Sequence, residues 1–136
     1  MNTIILNVQS KKSVVISFLE DLKNLLNTEE FNIDSDFLLI KKRKNNDEDH
    51  STPYTLLDLD YDTWDVIERL KELTVAEYSE TKIDKDDSDP PLLFVFGKDI
   101  ERKLVYIKLK IKGEQKRRVV CVSFHYAKEP MNFPFA

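Results

Sequence analysis

The segment KLVYIKLKIK, Lys103 to Lys112, alternates from Val105 onward, with Val105, Ile107, Leu109 and Ile111 apolar and Tyr106, Lys108, Lys110 and Lys112 between them. Successive side chains of a β-strand point to opposite faces, so this spacing demands a strand with one dry and one wet side. Two other strand-like runs flank it: LLFVF, Leu92 to Phe96, and RVVCVSFHY, Arg118 to Tyr126. The links between them, around Gly97–Arg102 and at Gly113–Lys116, are short enough for hairpins. Three consecutive strands joined this way make an antiparallel meander, and its dry face needs a cover.

Amphipathic helices supply that cover. From Ser10 onward, Val14, Val15, Phe18, Leu19, Leu22, Leu25 and Leu26 recur at spacings of three and four. They form one apolar stripe on a helix of about 17 residues, capped by Ser10 or Ser13. The stretch DTWDVIERLKEL, Asp62 to Leu73, repeats the pattern with Trp64, Ile67, Leu70 and, less regularly, Val66 and Leu73. Asp62 or Thr63 caps it, and Asp65 adds a favourable charge to its first turn. TIILNV (3–8), DFLLI (36–40) and EYSETKI (77–83) read as further strands. NNDEDHSTP, Asn45 to Pro53, and DKDDSDPP, Asp84 to Pro91, read as loops, with His50 solvated in the first. The expected class is α+β: an antiparallel sheet, a meander at its C-terminal end, packed on two helices.

A chain of 136 residues suits a single domain. Within it, residues 1–50 form a helix and strand extension, 53–128 the core and 129–136 an apolar tail. Apolar residues make up 41 % and charged residues 34 %, a balance suited to a well-solvated globule. Cys121 is the only cysteine, which excludes an internal disulfide. With no leader-like segment at the N-terminus, the expected compartment is the cytoplasm. No stretch approaches the roughly 20 apolar residues of a membrane span, so no membrane partner is expected. Charge is unevenly spread. Residues 91–136 carry ten Lys/Arg against four Asp/Glu, whereas residues 1–90 carry eleven against twenty-one. The basic third is either a surface for an anionic ligand or a set of lysines protecting strand edges.

Strand alternation sorts the polar residues. Val105, Ile107, Leu109 and Ile111 must face the helices, which turns Tyr106, Lys108, Lys110 and Lys112 to the open side. If Val120, Val122 and Phe124 face inward, then Val119, Cys121, Ser123 and His125 share the side of Tyr106. If Ile83 faces inward, Tyr78, Glu80 and Lys82 join them. A solvated face would show the same parity.

At this point the chain resembles a family. LDYDTWDVIERL, then EYSET, then VYIKLKI and VVCVSFH stand in the order of the corresponding segments of MqsR toxins from bacterial toxin–antitoxin systems. The resemblance spans roughly Pro53 to His125. It implies a RelE-like fold and a metal-independent endoribonuclease that cleaves mRNA and is neutralised by a cognate antitoxin protein. The family's tyrosine in VYLK falls on Tyr106, and the basic residue closing its SFK strand falls on His125. Its lysine after FY falls on Ser79 or, by a slip of one, Glu80, with Lys82 the nearest replacement. Its glutamine falls near Leu93, whose side chain makes no hydrogen bond.

Metal-free RNA cleavage needs a base for the 2′-OH proton, an acid for the leaving 5′-oxygen and cations at the phosphorane. The expected assignment is His125 as general acid or base and Glu80 as partner base. Lys82, Lys108 and Arg118 would hold phosphate, and Tyr106, with Tyr78 near it, would orient it or stack a base. Other chemistries find no motif. Two glycines make no phosphate loop, and two histidines with one cysteine show no zinc spacing. Cys121 lies four strand residues from His125, roughly 13 Å, too far to be activated by it. The acidic stretch 84–89 lacks the glycine and terminal glutamate of a calcium loop. No cofactor or metal is expected. The alternative is a non-catalytic protein of the same fold that binds a protein partner through its N-terminal helix or its tail. MNFPFA, Met131 to Ala136, either folds back over the core or docks an antitoxin or a second copy of the chain.

Overall fold

The computed structural model describes residues 5–41, 48–84 and 92–136. In chain order the elements are β1 (Ile5–Val8), α1 (Lys12–Asn27), β2 (Phe37–Leu39), α2 (Thr52–Leu59), α3 (Thr63–Lys71), β3 (Tyr78–Asp84), β4 (Leu93–Ile100), β5 (Lys103–Lys112) and β6 (Arg118–Tyr126). Short 3₁₀ turns at Glu48–His50 and Val75–Glu77 precede α2 and β3. The strands form one six-stranded sheet in the order β1-β3-β4-β5-β6-β2. All neighbours are antiparallel except β2, which runs parallel to β6. The class is α+β, with three α-helices among the described residues where the sequence suggested two. Residues 5–39 supply both edge strands, so the sheet closes only with the N-terminal part of the chain in place.

The helices cover one face. Val15, Phe18, Leu19, Leu22 and Leu26 of α1 are buried. Phe18 stacks on Phe94 of β4 with ring centroids 4.1 Å apart. Val66, Ile67 and Leu70 of α3 pack into the same core, as does Leu73 just after it. Two expected stripe residues face out instead: Val14 at 43 % and Trp64 at 52 % exposure. Trp64 is the second residue of α3, and the buried stripe of that helix begins at Val66. The cap of α3 is as read: Asp62 accepts from Asp65 N–H at 2.9 Å and Asp65 accepts from Asp62 N–H at 2.9 Å, a reciprocal capping box. The cap of α1 is not. Lys11 occupies the N-cap without a side-chain bond. Ser10 instead gives its backbone N–H to the Tyr78 hydroxyl at 2.9 Å and shares a 2.7 Å hydrogen bond with Thr81.

Helix α2 overturns the reading of Pro53 as the end of a loop. Pro53 lies in the first turn of the helix, where its missing N–H costs nothing, and Ser51 caps it by accepting from Tyr54 N–H at 3.2 Å. Residues 45–47 of that expected loop lie outside the described residues, as do 85–91 of the acidic one. The helix also finishes an edge. β2 pairs only with Val119–Cys121, which leaves the outer N–H groups of Phe124 and Tyr126 without a strand. Thr52 and Thr55, three apart on one helix face, accept from them at 3.1 and 3.0 Å. Both threonines are buried, and these bonds satisfy their hydroxyls.

The β4–β5 link is tighter than the sequence suggested. β4 runs through Gly97 to Ile100, and the turn is the two residues Glu101 and Arg102, both at positive φ (50° and 69°). Such two-residue turns match the twist of the strands they join.

Candidate active site on the open face of the sheet

The face of the sheet away from the helices carries a cavity of about 840 Å³. Its floor is Ser79, Glu80 and Lys82 of β3, Tyr106 of β5 and His125 of β6. The end of β1, Asn7 to Gln9, forms one side, and the tail from Ala127 to Pro134 forms the other. Four of the seven expected site residues therefore meet in one hollow: His125, Tyr106, Glu80 and Lys82.

Two bulges decide which residues reach this face. In β3, Tyr78 pairs with Phe96 and Glu80 with Val95, so Ser79 is the extra residue. In β6, Ser123 pairs with Lys108 and Cys121 with Leu109, so Val122 is extra. A bulge reverses parity beyond it. Val119 and Cys121 therefore face the core, together with Phe124, and Val120 turns to the open side, the reverse of the expected sorting. Tyr78 likewise turns inward and is fully buried, which removes it from any substrate contact. Ser123 and His125 keep the expected side because they lie past the bulge of β6, as Glu80 and Lys82 do in β3.

Tyr106 and His125 are cross-strand partners, and their rings stack with centroids 5.1 Å apart and planes 15° from parallel. The His125 Nδ1 lies 2.9 Å from the carbonyl oxygen of Tyr126. A carbonyl only accepts, so Nδ1 carries a hydrogen and donates; Nε2 is then the basic nitrogen of the neutral ring. The neighbouring Tyr126 is itself fixed. Its hydroxyl donates to Asp58 at 2.6 Å, and Lys103 reaches the same carboxylate at 3.3 Å while lying 4.6 Å over the tyrosine ring. The Tyr126 bond, and then that of Lys103, hold the Asp58 carboxyl below its ordinary range. Strand β6 is thus pinned on both sides of His125, through the amides of residues 124 and 126.

Burial, and then the charge of Glu80, push the Tyr106 phenol up to about 12. At neutral pH it is a hydrogen-bond donor and not a base. Glu80 and Lys82 form an ion pair at 3.3 Å, and Lys82 also donates to Asn7 at 3.1 Å. The site therefore offers a histidine of defined tautomer, a carboxylate, an ammonium and a neutral phenol.

The other two expected residues stand apart. Lys108 is on the same face, one step along β5 and opposite Ser123, outside the cavity lining. Arg118 opens β6 opposite Lys112, seven positions and roughly 20 Å from His125. Cys121 lies on the far side of the sheet, where burial pushes its thiol up to about 12. It is expected to resist alkylation in the folded protein and to react at once in denaturant, which thiol labelling followed by mass measurement checks. Among the described residues no group of three or more His, Cys, Asp and Glu side chains is arranged to hold a metal ion.

The wall made by the tail was only half legible. Its apolar character is visible in MNFPFA, but its seat is not. The tail folds back: Phe133 and Met131 lie over Gly97, and Phe135 stacks on Tyr78 at 5.6 Å. A glycine inside a strand pattern is a sign that another part of the chain approaches closely, and Gly97 was the available signal. Comparison with protein-family models, with curated proteins and with solved structures finds no match to this chain.

Proposed function

We propose that the chain is a metal-independent endoribonuclease acting on mRNA, the toxin of a bacterial toxin–antitoxin pair with a RelE-like fold. The observation that carries this reading is His125, stacked on Tyr106 with Nδ1 held by a backbone carbonyl, in one cavity with Glu80 and Lys82. The MqsR-like order of segments supplies the family expectation. In the cleavage step a base takes the proton of the 2′-hydroxyl, the 2′-oxygen bonds to phosphorus and the bond to the 5′-oxygen breaks. The products are a 2′,3′-cyclic phosphate and a 5′-hydroxyl. Glu80 or His125 Nε2 is the base, and the protonated histidine serves the leaving oxygen. The Lys82 ammonium and the Tyr106 hydroxyl face the growing charge on the phosphoryl oxygens. A cognate antitoxin would silence the enzyme in the cell.

A second reading, a non-catalytic module that binds a protein partner through its N-terminal helix, draws on Val14 and Ile16 of α1, which are 43 % and 39 % exposed. The discriminating experiment incubates purified protein with single-stranded mRNA fragments in EDTA and follows growth of a bacterial host on induced expression. Cyclic-phosphate ends and growth arrest are the expected results. Intact RNA with normal growth would retire the ribonuclease in favour of the partner-binding module.

A further inference from the structure

The tail is too closely fitted to be a neutral extension. Gly97 pairs with Tyr106, so it is the next residue across the sheet from the Tyr106–His125 stack. A Cβ at Gly97 would stand 2.8 Å from the Phe133 ring and 2.9 Å from the Met131 sulfur. Both are side-chain ends, so a Cβ there would push the tail's side chains from their seat. Two residues further on, Phe135 stacks within 18° of parallel on Tyr78, whose hydroxyl is bonded to Ser10 and Thr81. The tail is therefore anchored at both ends of its crossing, at the centre of β4 and at the start of β3. The same stretch, Met131, Asn132, Phe133 and Pro134, lines the cavity that holds His125.

This arrangement matches a need of the proposed reaction. In-line attack by a 2′-hydroxyl requires the nucleotide to leave helical stacking, so its base must be held elsewhere. A slot with an aromatic and apolar wall suits a single-stranded base, since every base has a face that stacks. We infer that the C-terminal tail is the second wall of the substrate site, that it holds an unstacked base of single-stranded RNA, and that Gly97 is the positioning residue that seats it. The inference rests on the ribonuclease reading above, and it assigns the tail to substrate and not to a protein partner.

The test uses the full chain labelled at its methionine methyl groups. Of the two methionines in the sequence, Met131 reports the tail. The probe is a short 2′-O-methyl oligoribonucleotide of mixed sequence, which binds but lacks the attacking hydroxyl. Addition of the single strand is expected to shift the Met131 methyl signal. Gly97→Ala is expected to move that signal without ligand and to weaken binding roughly tenfold, the worth of one base stack. Phe133→Leu, which takes the tail's only aromatic ring out of the cavity wall, is likewise expected to weaken binding. An oligonucleotide that binds with Met131 unmoved and with equal affinity for Gly97→Ala would overturn the tail assignment alone. No binding by the unaltered protein would overturn the ribonuclease reading, and this inference with it.

Discussion

His125→Ala is expected to lower the rate of RNA cleavage by at least about a hundredfold, the usual contribution of a positioned acid–base group. The fold should survive, because His125 is only half-buried, on the face away from the helical core. The strand around it is held by backbone bonds to Thr52 and Thr55 that do not involve the imidazole. Equal melting temperatures and superimposable circular dichroism would establish that, and relief of growth arrest should accompany the lost cleavage. Tyr106 makes a graded control. Tyr106→Phe keeps the ring stacked on His125 and loses only a neutral donor, so it should cost about tenfold or less. Tyr106→Ala removes the surface that keeps the imidazole flat and should cost more. Cleavage by His125→Ala at the wild-type rate would remove the histidine from the mechanism, and a Tyr106→Phe defect as deep as that of His125→Ala would make the phenol the principal group.

The gradation depends on geometry that the sequence carries unevenly. Strand β5 was legible because its alternation is unbroken from Val105 to Lys112 and both faces follow from it. The core stripes of α1 and α3 were legible for the same reason at the helical period. Faces were misread where one extra residue entered a ladder. Nothing local marks Ser79 or Val122 as bulged; the register is set by partners on β4 and β5, and only pairing reveals it. His125 and Glu80 were placed correctly because both lie on the far side of a bulge from the misassigned residues. Helix α2 was missed because Thr52, Thr55 and Leu56 make a short stripe, and Pro53 reads as a loop end until Ser51 is recognised as its cap. The edge pairing of β1 with β3, which brings Asn7 to Lys82, joins residues 75 apart in the chain, beyond the reach of any periodicity.

Tyr78 is the clearest case of a residue whose role the structure reverses, and its replacement should be the costliest to stability. Its ring is fully buried between the edge-on Phe96, 5.9 Å away, and the stacked Phe135 at 5.6 Å. Its hydroxyl joins the start of α1 to β3 through the Ser10 N–H and Thr81. Tyr78→Ala removes a large buried aromatic and leaves a cavity, a loss of about 3–5 kcal/mol by analogy with other buried aromatic-to-alanine changes. Tyr78→Phe keeps the packing but leaves the Ser10 N–H and the Thr81 hydroxyl short of a partner, a cost of about 1–3 kcal/mol. Urea denaturation of the two variants measures both losses. The order of the effects separates a structural tyrosine from a substrate contact. A core residue should lose stability in proportion to what is removed, with RNA cleavage by the folded Tyr78→Phe protein close to normal. Undiminished stability in Tyr78→Ala with cleavage lost would instead return the ring to the open face, and with it the parity that the bulge at Ser79 reverses.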